Sequence, residues 1–209
     1  MAKIEPFERH AQKYEDWFTR NKFAYQAELQ AISKQLPQRG TSIGIGVGSG
    51  HFAAPLGITV GIEPSSKLGD SARQRGINIV RAVAEALPFD DSQFDFALMV
   101  AVICFLDNIE TAFKETYRVL KPDGHLIIGF IDKESSIGKL YQQHKRESVF
   151  YKIATFYSVA EVVHHLKKAN FKDFNFTQTI FHNLTEVKHI EPIRRGYGEG
   201  SFVVAKATK

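Results

Sequence analysis

The 209-residue chain contains a single cysteine, Cys104. One thiol makes no disulfide within the chain and supplies no cysteine metal cluster. No run approaches 18 apolar residues, so no segment is expected to span a membrane. The opening stretch "MAKIEPFERHAQKYEDWF" is charged and lacks an apolar core, so it is not expected to act as a secretory signal, and a cytoplasmic location is expected. Repeats and low-complexity linkers are missing too. Charge of one sign is scarce: 27 Lys and Arg against 23 Asp and Glu leave +4, too little by itself to argue nucleic-acid binding. Apolar residues make up 44% and charged residues 24%, which suits one globular domain with an ample core.

What is present reads as alternating elements. Phe7, Ala11, Tyr14 and Phe18 recur at helical spacing, as do Tyr25, Leu29, Ile32 and Leu36 before Pro37, which predicts two N-terminal helices. "SIGI" (42–45), "ITVGIE" (58–63) and "INIVRA" (77–82) read as strands, with a helix over 65–75 that stops at Gly76. "FDFALMV" (94–100) is the near-continuous apolar run of a strand buried on both faces. Residues 109–120 form a helix capped by Asp107 or Asn108, "KPDG" (121–124) a turn, and "HLIIGF" (125–130) a strand. Ser158 with Glu161 is a capping box that opens a helix to about Ala169, and "FNFTQTI" (174–180) and "SFVVAKA" (201–207) are the last strands. Strands alternating with helices predict an α/β fold with a parallel sheet, and the last two strands, which lack a crossover helix, are expected to pair antiparallel. Residues 131–157 are long for a connection and suggest a lid or substrate segment.

The chemistry-bearing stretch is "TSIGIGVGSGHF" (41–52), a glycine-rich turn at a strand end. In a parallel α/β sheet, ligands sit beyond the carboxyl ends of the strands, and glycines there let a ligand approach the backbone. Glu63 ends the next strand, and a carboxylate at that place can accept from two ribose hydroxyls, so turn and acid form a nucleoside-binding pair. Two cofactors fit. Gly48-x-Gly50-x-x-Ala53 satisfies the dinucleotide pattern, but only Phe52 to Leu56 precede Gly57, a short helix to aim at a pyrophosphate. Gly46-x-Gly48-x-Gly50 suits S-adenosylmethionine, which has no phosphate to neutralise. A nicotinamide-dependent oxidoreductase and a cofactor binder without turnover stay open as alternatives.

Beyond the turn, "IGIGVGSG" (43–50), "VGIEPS" (60–65), "AVAEALPFDDSQFDFALMV" (82–100) and "FLDNIETAFKETYRVLKPDGHLII" (105–128) together resemble the class I S-adenosylmethionine-dependent methyltransferases, in the branch of the ubiquinone and menaquinone C-methyltransferases (methyltransferase type 11). The resemblance implies a Rossmann-like, seven-stranded, mostly parallel sheet with an antiparallel last strand, helices on both faces and an N-terminal helical cap. It implies one methyltransferase domain over 1–209: a cap at 1–37, a cofactor-binding half at 41–130, the lid at 131–157 and a C-terminal helix and strand pair at 158–209. By the family pattern Ile45, Gly46, Gly48 and Gly50 line the methionine and ribose of the cofactor, and Glu63 holds the ribose diol. Ala84 meets the adenine through its N–H with Glu85 framing the base, Val100 and Ala101 border the transfer zone, and Tyr14 closes over the cofactor. Three positions depart from that pattern: Gly44 where an acid is usual, Val83 where Asp is frequent, and Cys104 where His is frequent.

Methyl transfer is an in-line displacement that needs alignment and exclusion of water more than a catalytic triad. The segment "VAVICF" after the fourth strand lacks the Asn/Asp-Pro-Pro-aromatic motif of enzymes that methylate nucleic-acid amino groups, and Cys104 follows Ile103 rather than proline. The expected substrate is therefore a small molecule, with no nucleic-acid, membrane or metal partner. Tyr197 and Glu199 in "EPIRRGYGEG" (191–200) offer an aromatic ring and a carboxylate suited to an amine, and Tyr141, Phe150, Tyr151 and Phe156 give the lid an aromatic character.

Overall fold

The computed structural model describes residues 3–209, so residues 1 and 2 of the expected cap lie outside the described residues. Its centre is one eight-stranded sheet. In chain order the strands are β1 (Ser42–Ile45), β2 (Val60–Ile62), β3 (Asn78–Val80), β4 (Phe94–Val100), β5 (Leu120–Ile131), β6 (Lys172–Thr179), β7 (Arg194–Arg195) and β8 (Phe202–Thr208). Their spatial order is β3-β2-β1-β4-β5-β8-β6-β7. The first five run parallel, and β8 is wedged antiparallel between β5 and β6. The eighth strand is β7, a two-residue ladder on Thr177 and Gln178 at the sheet edge. Two exposed arginines carry no strand pattern, so the expected seven becomes eight, and their charges blunt the open edge.

Side-chain alternation divides the core into two layers. Ala97 and Met99 of β4, Leu126 and Ile128 of β5, and Val203 and Ala205 of β8 face one side. There they pack on α5 (Ile109–Val119) and α7 (Val159–Lys168). Phe96 and Leu98, Ile127, and Phe202 and Val204 face the other side, toward α3 (Lys22–Ser33), α4 (Ser66–Gln74) and α6 (Ser136–Gln143). A strand buried on both faces therefore reads as a continuous apolar run, which is why β4 was so plain in sequence.

Local chemistry sets the element ends. Asn108 caps α5 by accepting from the Thr111 N–H, and Ser158 and Glu161 form the expected reciprocal capping box of α7. Two expectations change. The N-terminal region folds as three helices, α1 (Glu5–Arg9), α2 (Ala11–Arg20) and α3, broken at His10 and Asn21. The "KPDG" turn is instead a bulge near the start of β5, because Leu120 already pairs with Phe94 before His125 pairs with Phe96. Among the described residues no helix is long and apolar enough to cross a membrane.

Candidate active site

The chain lays β1, β2 and β3 outward in one direction, then returns to place β4 on the other side of β1. Strand order reverses there, and a crevice opens between the loops that leave β1 and β4. A cavity of about 300 Å³ occupies this place. Gly46 and Gly48 after β1, Val100, Ala101 and Val102 at the end of β4, Glu63 after β2, and Tyr14 of α2 all line it.

The glycine turn is built for close approach. Gly46, Gly48 and Gly50 have φ of +66°, +57° and +89°, a left-handed backbone that side chains rarely adopt. A Cβ at Gly48 would run into the Tyr14 hydroxyl, and one at Gly46 would come within 2.8 Å of Val102. The turn is pinned to the end of β2. The N–H groups of Gly46 and Val47 donate to the Ile62 carbonyl at 2.9 and 3.1 Å. Gly48 N–H donates to Glu63 Oε2 at 2.8 Å and Ser65 N–H to Glu63 Oε1 at 2.9 Å. Glu63 is 7% exposed; burial raises its pKa, and these two amides oppose the rise. Each carboxylate oxygen keeps a free lone pair for a further donor. A strand-end acid beside a side-chain-free cradle fits the ribose and methionine portions of S-adenosylmethionine. The turn runs only into a three-residue 3₁₀ segment, Ala54–Leu56, too short to present a helix N-terminus to a pyrophosphate.

The N-terminal helices roof the cavity. Glu8 of α1 accepts from Ser65 Oγ at 2.8 Å and from the Ser66 N–H at 2.5 Å, at the start of α4. Burial would raise the Glu8 pKa, but these donors hold it below the usual carboxylate range. Glu15 of α2 meets His51 Nε2 and Arg75 Nη2, both at 2.9 Å, and the His51 ring stacks on Phe18 at 3.8 Å. Tyr14 sits against the glycine turn, and burial, with the Glu63 charge second, raises its phenol pKa.

On the opposite wall Ala84 is 6% exposed and lines the cavity, as does Glu85. The Glu85 carboxylate accepts from the N–H groups of Asp107 and Asn108, at 2.8 and 3.1 Å, and so also anchors the loop into α5. Ala101 has φ +55°, an uncommon conformation for a residue with a side chain, directly at the end of β4.

Beyond the β4 end the cavity continues into an aromatic chamber. Tyr141 of α6 stacks on Tyr151 at 4.6 Å, and Phe150 stacks on Phe7 at 5.2 Å, so the lid aromatics and α1 close on one another. Phe202 and the carboxyl group of Glu28 complete its wall.

Gly46, Gly48, Glu63, Ala84, Glu85, Val100 and Tyr14 therefore converge on one cavity. The Ile45 side chain is fully buried in the core, which leaves only its backbone to face a ligand, and Gly50 packs on Ala72 and Ile77. Tyr197 and Glu199, expected at the acceptor site, lie outside the cavity. Tyr197 is 53% exposed and edges onto Phe176, and Glu199 pairs with Arg194. Their loop folds back on its own sheet because Gln178 accepts from the Glu199 and Gly200 N–H groups, at 2.9 and 2.7 Å. The Cys104 thiol is raised to about 12 by burial, unsuited to a nucleophile. His165 and Lys168 of α7 engage Glu110 of α5 and tie the two helices together. Glu28, Trp17, Phe18 and Phe202 line the cavity but escaped the sequence reading. For Glu28 the available signal was a lone acid flanked by Ala24, Ala27 and Ala31 at helical spacing.

A family profile described as a methyltransferase domain matches residues 43–128. A Thermotoga maritima crystal structure, described as an S-adenosylmethionine-dependent methyltransferase and possible histamine N-methyltransferase, is 48% identical, with a TM-score of 0.97 over 99% of each chain. An uncharacterized protein of Methanocaldococcus jannaschii is 41% identical over 203 residues, 97% of this chain and 98% of its own. The mitochondrial 2-methoxy-6-polyprenyl-1,4-benzoquinol methylase of Danio rerio is 29% identical over 142 residues, 63% of this chain and 43% of its own. A glycine cradle and strand-end acid at the reversal of strand order, with these likenesses, give the conclusion that the chain belongs to the S-adenosylmethionine-dependent methyltransferases.

Proposed function

We propose that the cavity holds S-adenosylmethionine along Gly46, Gly48, Glu63 and Ala84, and seats a small organic methyl acceptor in the aromatic chamber beyond Val100. The observation that carries this reading is the continuity of the cavity: one space runs from the glycine turn to Tyr141, Tyr151 and Phe202. When bound, the cofactor supplies an electrophilic methyl group on a cationic sulfur. The protein's part is alignment and exclusion of water, which α1, α2 and the lid provide by roofing both halves. Glu63 orients the ribose, Tyr14 presses on the turn, and the apolar walls from Val100 to Val102 keep the transfer zone dry. An amine is the acceptor class to which the possible activity of the Thermotoga protein points. The alternative of a binder without turnover drew on Gly44 and Val83. The space at Gly44 is taken by Val47, so that position no longer favours it.

Calorimetric titration with S-adenosylhomocysteine tests the cofactor half. Wild type is expected to bind, and Glu63→Ala to weaken binding tenfold or more through loss of a charged hydrogen-bond acceptor. A wild type that takes up no S-adenosylhomocysteine would refute the reading.

A further inference from the structure

Glu28 lies mid-helix in α3, on the face that buries Ala24, Ala27 and Ala31. The residue is 5% exposed, and its side chain lines the cavity. Among the described residues the other buried carboxyl groups are engaged: Glu63 by two amides, Asp132 by the Glu134 N–H, and Glu191 by the Phe181 N–H and His182. No described residue donates a hydrogen bond to Glu28, and burial alone raises its pKa to about 8. No lysine or arginine lies near enough to offset that burial. An unpartnered carboxyl group so little exposed is costly unless something entering the cavity pairs with it.

The groups facing Glu28 narrow the identity of the visitor. Tyr141 and Tyr151, stacked on one another, are both sensitive to the Glu28 charge, and burial raises both phenols, so they stay neutral. Phe202 and Phe18 add apolar ring surface to the same cavity. A buried carboxylate among aromatic faces is the chemistry that holds an organic cation. Of the cations that line the cavity, Lys3 is committed to the Leu106 carbonyl, and neither Lys13 nor Arg20 offsets the burial of Glu28.

We propose that the acceptor end of the cavity binds a small organic amine in its cationic form and that Glu28 pairs with its ammonium group. This inference rests on the methyl-transfer reading above and assigns the acceptor end of that site. Glu28 is then the residue that sets specificity, with Tyr141 and Tyr151 flanking the bound cation. It follows that amine affinity depends on pH. Below about pH 8 the empty site holds a proton that the incoming ammonium must displace, so affinity rises toward pH 8. A neutral ligand of the same shape shows no such rise.

The test is calorimetry on the full chain with a panel of arylalkyl and alkyl primary amines, 2-phenylethylamine first, each paired with its alcohol counterpart. At pH 8 the wild type is expected to prefer at least one amine over its alcohol by tenfold or more, with the preference shrinking toward pH 6. Glu28→Gln, nearly isosteric, is expected to abolish the preference while leaving alcohol binding and S-adenosylhomocysteine binding unchanged. Equal binding of amines and alcohols across the panel by the wild type, or a preference that survives in Glu28→Gln, overturns the proposal. Failure of the wild type to bind S-adenosylhomocysteine overturns the methyl-transfer reading instead, and the amine preference still decides the role of Glu28.

Discussion

Gly44 and Gly61 are register partners on β1 and β2, and the Val47 side chain lies over both. A Cβ at Gly61 would come within 2.7 Å of Val47 Cγ1, and one at Gly44 would run into the same methyl group, with Ile58 and Ala53 behind it. Two missing side chains on adjacent strands thus make room for one valine of the turn. Gly44→Asp would push a carboxylate into that apolar space. It is expected to lower stability by about 1–3 kcal/mol or more through overpacking and desolvation, and not to tighten S-adenosylhomocysteine binding. Val47→Ala in the same chain should restore part of the loss, a non-additivity that denaturant titration of the single and double variants would expose. A stable Gly44→Asp with tighter binding would restore the family acid as a lost contact. The family pattern made Gly44 look like a missing carboxylate because it compares positions along a chain, whereas the occupant of the space comes from three residues further on. Glu63 and the turn glycines were legible because strand, turn and acid are local. Glu28 was not. Of the stripe Tyr25, Leu29, Ile32 and Leu36, only Ile32 is fully buried, and the alanines that mark the rest of the buried face carry little hydrophobic signal.

At the scale of elements, the roof is what deepens the crevice into a cavity. Two carboxylates hold it to the sheet layer, beside aromatic contacts such as Phe7 on Phe105 and Phe18 on Phe52. Glu8 satisfies the first amides of α4, and Glu15 reaches His51 of the turn and Arg75 beyond α4. Removing both, as Glu8→Ala with Glu15→Ala, is expected to raise hydrogen exchange across residues 5–20 and weaken S-adenosylhomocysteine binding severalfold. Each partly exposed link contributes about 1 kcal/mol or less, so the melting temperature should move little. Unchanged exchange over that segment would mean that aromatic packing, such as Phe7 on Phe105 and Phe18 on Tyr25, holds the roof unaided. Element limits were readable where a side chain closes its own helix, as at Asn108 and Ser158. They were not readable where pairing decides, as for the bulge in β5 or the arginine pair of β7.

For the whole molecule, the titration of Glu28 makes folding itself report on the cavity. Its folded pKa of about 8 stands above the ordinary glutamate value of 4.5. Between those values the folded chain keeps a proton that the unfolded chain has released, so stability falls as pH rises through that window and levels off above it. Each pH unit crossed costs at most about 1.4 kcal/mol, so the full effect is on the order of a few kcal/mol. The lowered carboxylates act with the opposite sign. Lys121 and Thr41 hold Asp95 at about 2, and Glu115 and Glu161 are held below their usual range by Arg118 and Lys133. Their stabilisation is present above the ordinary carboxylate range and is lost as pH falls through it. All of these groups are shared by wild type and Glu28→Gln and cancel in the difference between them. Urea denaturation at pH 5, 6, 7 and 8 should therefore show Glu28→Gln gaining on the wild type step by step, with the gap widest at pH 8. Parallel curves would mean that water reaches the Glu28 carboxylate freely, and the chamber would then lack the dryness on which a specific hold on a cation depends.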